Sequence, residues 1–240
     1  MKIEKIYNFL DSISPFCEQE AWDNSGLLLG SLQDDVETVY LSLDIDEAVL
    51  EACSENSLLI THHPLIFKSL KNIANHKYPN AFIKTMIRKN IALISMHTNY
   101  DKSHLDAYFT EEILGFKHYT QDGFLIYVDL KDSFSNLLAY VKEKLGLPVL
   151  KYAFAKEELK KIAICTGSGG DLINDVKADC FLSGDFKYHQ ALEALSNGLN
   201  LIELGHFESE SCFVNSLSNH LQNLPLKVII TNSKNPFKYH

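Results

Sequence analysis

Four short stretches of the chain combine imidazoles with carboxylates: His62 and His63 in THHP, His97 and Asp101 in HTNYD, Asp185 and His189 in SGDFKYH, and His206 and Glu210 in GHFESE. These side chains are the donors that hold divalent metals. A mixed nitrogen and oxygen set suits zinc, iron, manganese, cobalt or nickel without choosing among them. Several of the stretches directly follow short apolar runs, such as SLLI, IALIS, CFLS and LNLIEL, which read as buried strands. In open α/β sheets, ligands bind in the crevice beyond the carboxyl ends of the strands, so residues far apart in sequence can meet there. The pattern points to a metal site, and to two ions rather than one.

The histidine pair carries the two-ion expectation. Pro64 disfavours helix at His63 and holds the pair extended just past its strand. Successive side chains of an extended segment point to opposite sides, so one ring would face each of two neighbouring ions. Two loop histidines making ordinary hydrogen bonds are the plainer alternative. Asp101, near the start of a helix, is the better ligand candidate of HTNYD, and it would serve equally as a turn or capping residue. His97 reads as a partner of a ligand, a proton carrier or a buried structural histidine. His206 and Glu210 stand four apart with helical sequence after them, which puts both on one helix face. They could share an ion, bridge two ions or form a surface pair. The GSGG at Gly167–Gly170 lacks the Lys-Ser/Thr of a P-loop and reads as a tight strand-to-helix turn. No serine elbow or activated cysteine accompanies it.

The elements that must position these residues alternate in type. An amphipathic helix opens the chain with Ile3, Ile6, Tyr7 and Leu10 on one face, and strands follow in GLLL, VYLSLDI, SLLI and IALIS. Asp46 and Ser133 read as helix caps, Gly146 as a helix stop, and Ser103 with Asp106 as a Ser-x-x-Asp capping pattern. The layout repeats in the second half, predicting an α/β fold of two related lobes, residues 1–125 and 126–240, with the boundary near 120–130.

The 240 residues carry 46% hydrophobic content, enough for a substantial core, and a formal net charge of −9, which disfavours nucleic acid or an anionic membrane surface as partners. No run approaches the roughly 20 apolar residues of a membrane span. Five scattered cysteines without a Cys-x-x-Cys pair suggest neither a disulfide framework nor a thiolate zinc site, and a soluble, cytoplasmic protein is expected.

Together, WDNSGLLLG, THHP, HTNYD, CTGSGG, SGDFKYHQALEA and GHFESE resemble the GTP cyclohydrolase type 2-like family, also called Nif-three-like or dinuclear-metal-centre hexameric proteins. The resemblance covers nearly the whole chain. It implies the Nif-three-like fold: two related, interlinked α/β lobes of largely parallel sheet with the metal site between them, no inserted domain at this length, and a toroidal homohexamer. By position it implies His62, His63, Asp101, His206 and Glu210 as ligands of two divalent metal ions per subunit. His63 and Asp101 would hold one ion, His62 and His206 the other, and Glu210 would bridge. His97, Asp185 and His189 match no ligand and would stand behind the ligands, with His97 the candidate for a catalytic role. The implied activity is metal-dependent hydrolysis of a nucleotide-like substrate by metal-activated water, with GTP ring opening in view. The alternative is a non-catalytic metal-storing, metal-delivering or regulatory scaffold that binds partner proteins.

Overall fold

The computed structural model describes residues 1–238. In chain order the elements are α1 (Ile3–Ile13), β1 (Gly26–Leu29), β2 (Thr38–Ser42), α2 (Glu47–Ala52), β3 (Leu58–Thr61), α3 (Asn80–Arg88), β4 (Ala92–Ser95) and α4 (Thr98–Tyr100). A wide π-helical turn (Asp101–Leu105) leads into α5 (Asp106–Tyr108) and a second such turn (Phe109–Ile113). Then come β5 (Thr120–Asp122), β6 (Leu125–Ser133), α6 (Phe134–Leu145), β7 (Lys151–Ala153), β8 (Glu158–Ile164) and β9 (Cys180–Ser183). The chain ends with α7 (Tyr188–Ser196), β10 (Asn200–Glu203), α8 (His206–Glu210), α9 (Phe213–Leu221) and β11 (Lys227–Ile230).

Two compact units emerge, one from Met1–Ser103 with Phe213–Pro236, the other from His104–Cys212. The division therefore lies elsewhere than a single cut near residue 125. The cause is β11, which returns from the far end of the chain to pair in parallel with β2, with α9 packed on both strands. Its sequence, KVII, is short and only half-buried, so nothing local assigns it to a distant partner.

In the first unit the sheet order is β1-β4-β3-β2-β11, with β11, β2, β3 and β4 parallel and β1 antiparallel at the edge. Every residue of β3 and β4 is buried, as expected of central parallel strands covered on both faces. On one face Tyr40, Leu59 and Leu93 pack against Val49, Leu50, Ile83 and Met86 of α2 and α3. Asp46 caps α2 by accepting from the Val49 N–H at 2.8 Å. The register matters most for function: Ser42 lies opposite Thr61, and Thr61 opposite Ser95, so β2, β3 and β4 end level.

The second unit has the order β5-β6-β8-β9-β10-β7. Here the parallel part is confined to β8, β9 and β10, while β5, β6 and β7 join antiparallel, which makes this sheet mixed. Phe181, Ala163 and Leu201 from the central strands form its core with Ile173, Phe186 and Ala194. Ser133 caps α6 by accepting from the Asn136 N–H at 3.1 Å, and Gly146 ends it in the left-handed conformation (φ 61°).

Ser103 does not open a helix. Helical structure has already begun at Thr98, and the Ser103 hydroxyl donates back to the Asn99 carbonyl at 2.9 Å. Asp106, the expected partner in that cap, is instead a buried carboxylate that accepts from the Thr166 N–H and hydroxyl, both at 2.8 Å. The five cysteines form no disulfide. Among the described residues no helix is long and apolar enough to cross a membrane.

Candidate metal centre

In the first unit the site follows from the level ends of three strands. One residue beyond Ser42, Thr61 and Ser95 stand Leu43, His62 and Met96, and two residues beyond stand Asp44, His63 and His97. The ladder continues past β3, where the His62 and His63 N–H groups donate to the Ser42 and Leu43 carbonyls. Because β1 runs the opposite way with Gly26 opposite Ser95, Asp23 to Ser25 arrive at the same edge. Register alone thus gathers three imidazoles and two aspartates.

Their hydrogen bonds set the chemistry. His62 Nδ1 lies 2.7 Å from the Met96 carbonyl, which can only accept, so the proton sits on Nδ1 and the Nε2 lone pair points away. His63 Nδ1 donates to Asp44 at 2.8 Å and His97 Nδ1 to Asp23 at 2.7 Å, which imposes the same tautomer on both rings. An imidazole whose Nδ1–H is held by a carboxylate or carbonyl is the usual arrangement behind a metal-ligating Nε2. The ligand atoms that His62, His63 and His97 can offer lie within 4.8 Å of one another. The rings of His62 and His63 do not diverge to opposite sides, since their centroids are 5.0 Å apart. They still differ in setting: His62 is fully buried, while His63 is partly exposed.

Asp101 joins this group from the π-helical turn, its Oδ1 3.2 Å from His62 Nε2. A carboxylate oxygen and an imidazole lone pair facing each other in a buried place repel unless a cation or a proton lies between them. Asp23 is the structural hub behind His97. Its buried carboxylate accepts from His97 Nδ1, the Asn24 N–H, the Ser25 hydroxyl, and the N–H and hydroxyl of Thr98. Burial alone would raise its pKa, but these donors hold it well below the usual carboxylate range.

The second unit builds a group of its own on a helix start and glycine turns. His206 opens α8 and Glu210 lies one turn on, with Nε2 and Oε2 3.0 Å apart, while Asp185 accepts from His206 Nδ1 at 2.7 Å. Burial, the largest influence, disfavours the imidazolium, yet Glu210 and Asp185 together raise the His206 pKa to about 10. The glycine-rich turn makes room for this pair: a Cβ on Gly167, whose φ is +63°, would fall 2.0 Å from Glu210 Oε1. Gly184 of the SGD motif lies against the backbones of Gly167 and His206 for the same reason. Ser209 ties the parts together, accepting from the Gly167 N–H at 2.9 Å and donating to the His206 carbonyl at 3.0 Å.

A family model described as Duf34/NIF3 (NGG1p interacting factor 3) matches residues 1–236. A Campylobacter jejuni protein named GTP cyclohydrolase 1 type 2 homolog is 65% identical over 240 residues, covering all of both chains. The chain belongs to the Duf34/NIF3 family. A Helicobacter pylori protein named GTP cyclohydrolase 1 type 2 is 37% identical over 238 residues, covering 98% of each chain. Among solved structures, a Staphylococcus aureus hypothetical protein superposes with a TM-score of 0.86 at 25% identity, covering 100% of this chain and 99% of its own. HcgD from Methanocaldococcus jannaschii gives 0.82 at 25% identity, with 96% and 97% covered. The α/β fold with two sheets is that of the NIF3 structures.

Within this NIF3 chain, each unit brings its own sequence-predicted residues together: His62, His63, His97 and Asp101 in the first, His206 and Glu210 with Asp185 in the second. His62, His63 and His97 form a group that could hold a divalent metal ion, and His206 and Glu210 are donors of the same chemistry. His189 is not drawn in; it is exposed on α7 with its ring against Tyr188. Sequence reasoning missed the roles of Asp44 and Asp23. Asp44 ends the run VYLSLDI, and its signal was positional, since a parallel neighbour to SLLI in level register places it beside His63.

Proposed function

We propose that this NIF3 protein holds two divalent ions per subunit through His62, His63, Asp101, His206 and Glu210 and hydrolyses a nucleotide-like substrate. The observation that carries the metal reading is the common orientation of the rings. His62, His63, His97 and His206 each have Nδ1 engaged by an acceptor, which leaves Nε2 as the atom to face a cation. Bound ions would supply Lewis acidity, bringing the pKa of a water near neutrality and steadying the developing oxyanion.

The residues of the chain do the positioning. Asp44 and Asp185 hold the rings of His63 and His206 and increase their basicity, and Met96 does so for His62 through its carbonyl. His97 is the residue assigned a catalytic role: it stands within the imidazole group, backed by Asp23, where it can carry a proton. The nucleotide part of the reading is supported by the names of the Campylobacter and Helicobacter relatives. A toroidal homohexamer belongs to the same proposal, and light scattering of the purified protein tests it.

The deciding experiment reconstitutes metal-free protein with zinc, iron, manganese, cobalt or nickel and assays formate release from GTP, beside Glu210→Gln. Metal-dependent release that is lost in the variant is the expected result. Metal-loaded protein that releases no formate with any of the five ends the GTP assignment. Preparations that take up no metal end the whole reading.

A further inference from the structure

Beside the imidazole group stand two large aromatics that no part of the core absorbs. Trp22 is 60% exposed and Phe67 44% exposed. Their rings are 6.0 Å apart at 67°, and each lies 6.3 Å from His97, at 78° and 85°. The three rings meet edge to face rather than stacked in parallel, and the exposure of the indole and the phenyl leaves aromatic surface of both open to a ligand. An exposed aromatic face one ring away from candidate metal donors is a surface on which a flat ligand can stack.

The backbone on either side of the pair is also held by partly buried polar bonds. Upstream of Trp22 the Glu20 N–H donates to the Thr98 hydroxyl at 3.0 Å, and downstream the Asp23 carboxylate grips His97 and Thr98. Trp22 is thus anchored to the start of α4 on both sides. The Asn24 amide donates to the Ile66 carbonyl at 2.5 Å, tying the loop that bears Trp22 to the residue preceding Phe67. Apolar rings whose flanking residues are fixed by hydrogen bonds are preorganised, which lowers the cost of ordering them on binding. The chemistry they favour is a planar heteroaromatic ring, whose face stacks on indole or phenyl whatever its edge carries.

We infer that Trp22 and Phe67 form the subsite for the base of a nucleoside or nucleotide, placing it against His97. This rests on the proposed function for the identity of the flat ring, and it adds a location and two specificity residues that the metal ligands do not supply.

The test is direct because Trp22 is the chain's one tryptophan. Full-length protein is titrated with guanosine, adenosine and ribose 5-phosphate while tryptophan emission is followed, with and without added metal. Both nucleosides should change the emission saturably, and ribose 5-phosphate should not. In equilibrium dialysis, Trp22→Ala and Phe67→Ala should each bind guanosine about tenfold more weakly, within the range for loss of one base-stacking contact, and Trp22→Phe should retain most of the affinity. Metal content should match wild type in all three. Unchanged guanosine binding by Trp22→Ala overturns the inference. So does a shift of Trp22 emission with protein concentration alone together with a smaller assembly in Trp22→Ala, which would make the face a subunit contact. Nucleoside binding without GTP turnover refutes the proposed activity and leaves the subsite standing. GTP turnover with unchanged KM in Trp22→Ala does the reverse.

Discussion

The two units solve the same problem of aiming an imidazole by different means. In the first, His62, His63 and His97 extend from β3 and β4, strands that end level with β2, and their Nδ1 partners come from the same edge: the Met96 carbonyl, Asp44 and Asp23. In the second, His206 and Glu210 sit on a five-residue helix whose position depends on backbones packed at Gly167 and Gly184. A strand edge places donors through a ladder of hydrogen bonds, which tolerates side-chain changes nearby. A glycine-cleared pocket places them through excluded volume, which does not.

Metal removal should have the largest effect and should be felt through both units. If ions bind the native state at free concentrations about a hundredfold above their dissociation constant, stripping them lowers stability by about 2.7 kcal/mol per site. Calorimetry before and after chelation, with metal content measured in parallel, checks this. An unchanged melting temperature on loss of bound metal would break the idea that these clusters are metal-coupled.

Gly167→Ala comes next and sharpens the contrast. The added Cβ meets Glu210 at 2.0 Å in a backbone region that side chains rarely adopt, a cost of about 1–3 kcal/mol. Metal uptake should fall with it, as read by a denaturant midpoint and metal analysis of the same preparation. Wild-type metal content in this variant would show that Glu210 needs no cleared space.

Asp44→Asn and Asp185→Asn probe the ring partners, one in each unit. Each keeps an acceptor and removes the charge that orients and polarises the imidazole, so metal affinity should drop about tenfold or more. Competition with a chromogenic chelator measures it. Because strand bonds also fix His63 while His206 depends on its neighbours, the Asp185 variant should lose more affinity. The reverse order would undo the distinction between the two modes of positioning.

The smallest effect is expected far from either cluster. Ser133→Ala removes the cap that accepts from Asn136 at the start of α6 and should cost about 1 kcal/mol. Metal affinity should not move. A shift in metal binding here would mean that the second unit transmits strain to its metal residues in a way that the local contacts do not show.

Much of the framework around the candidate site was legible in the sequence. Helix caps at Asp46 and Ser133, the stop at Gly146, and the buried runs of β3, β4, β9 and β10 are local patterns, and they formed as read. The Ser-x-x-Asp motif at Ser103 did not act as a cap, because both residues found other partners inside a helix already under way. β11 was invisible for the opposite reason: four half-buried residues acquire meaning only beside β2.

From the sequence alone came the donor types, the α/β class and the expectation of imidazoles beyond strand ends, since residue chemistry and hydrophobic period are properties of short segments. Tertiary structure decided which nitrogen each histidine presents, that Asp44 and Asp23 stand behind His63 and His97, and that Gly167 exists to admit Glu210. Those outcomes depend on strand register and on the close approach of backbones distant in the chain, and neither quantity is encoded within any one stretch.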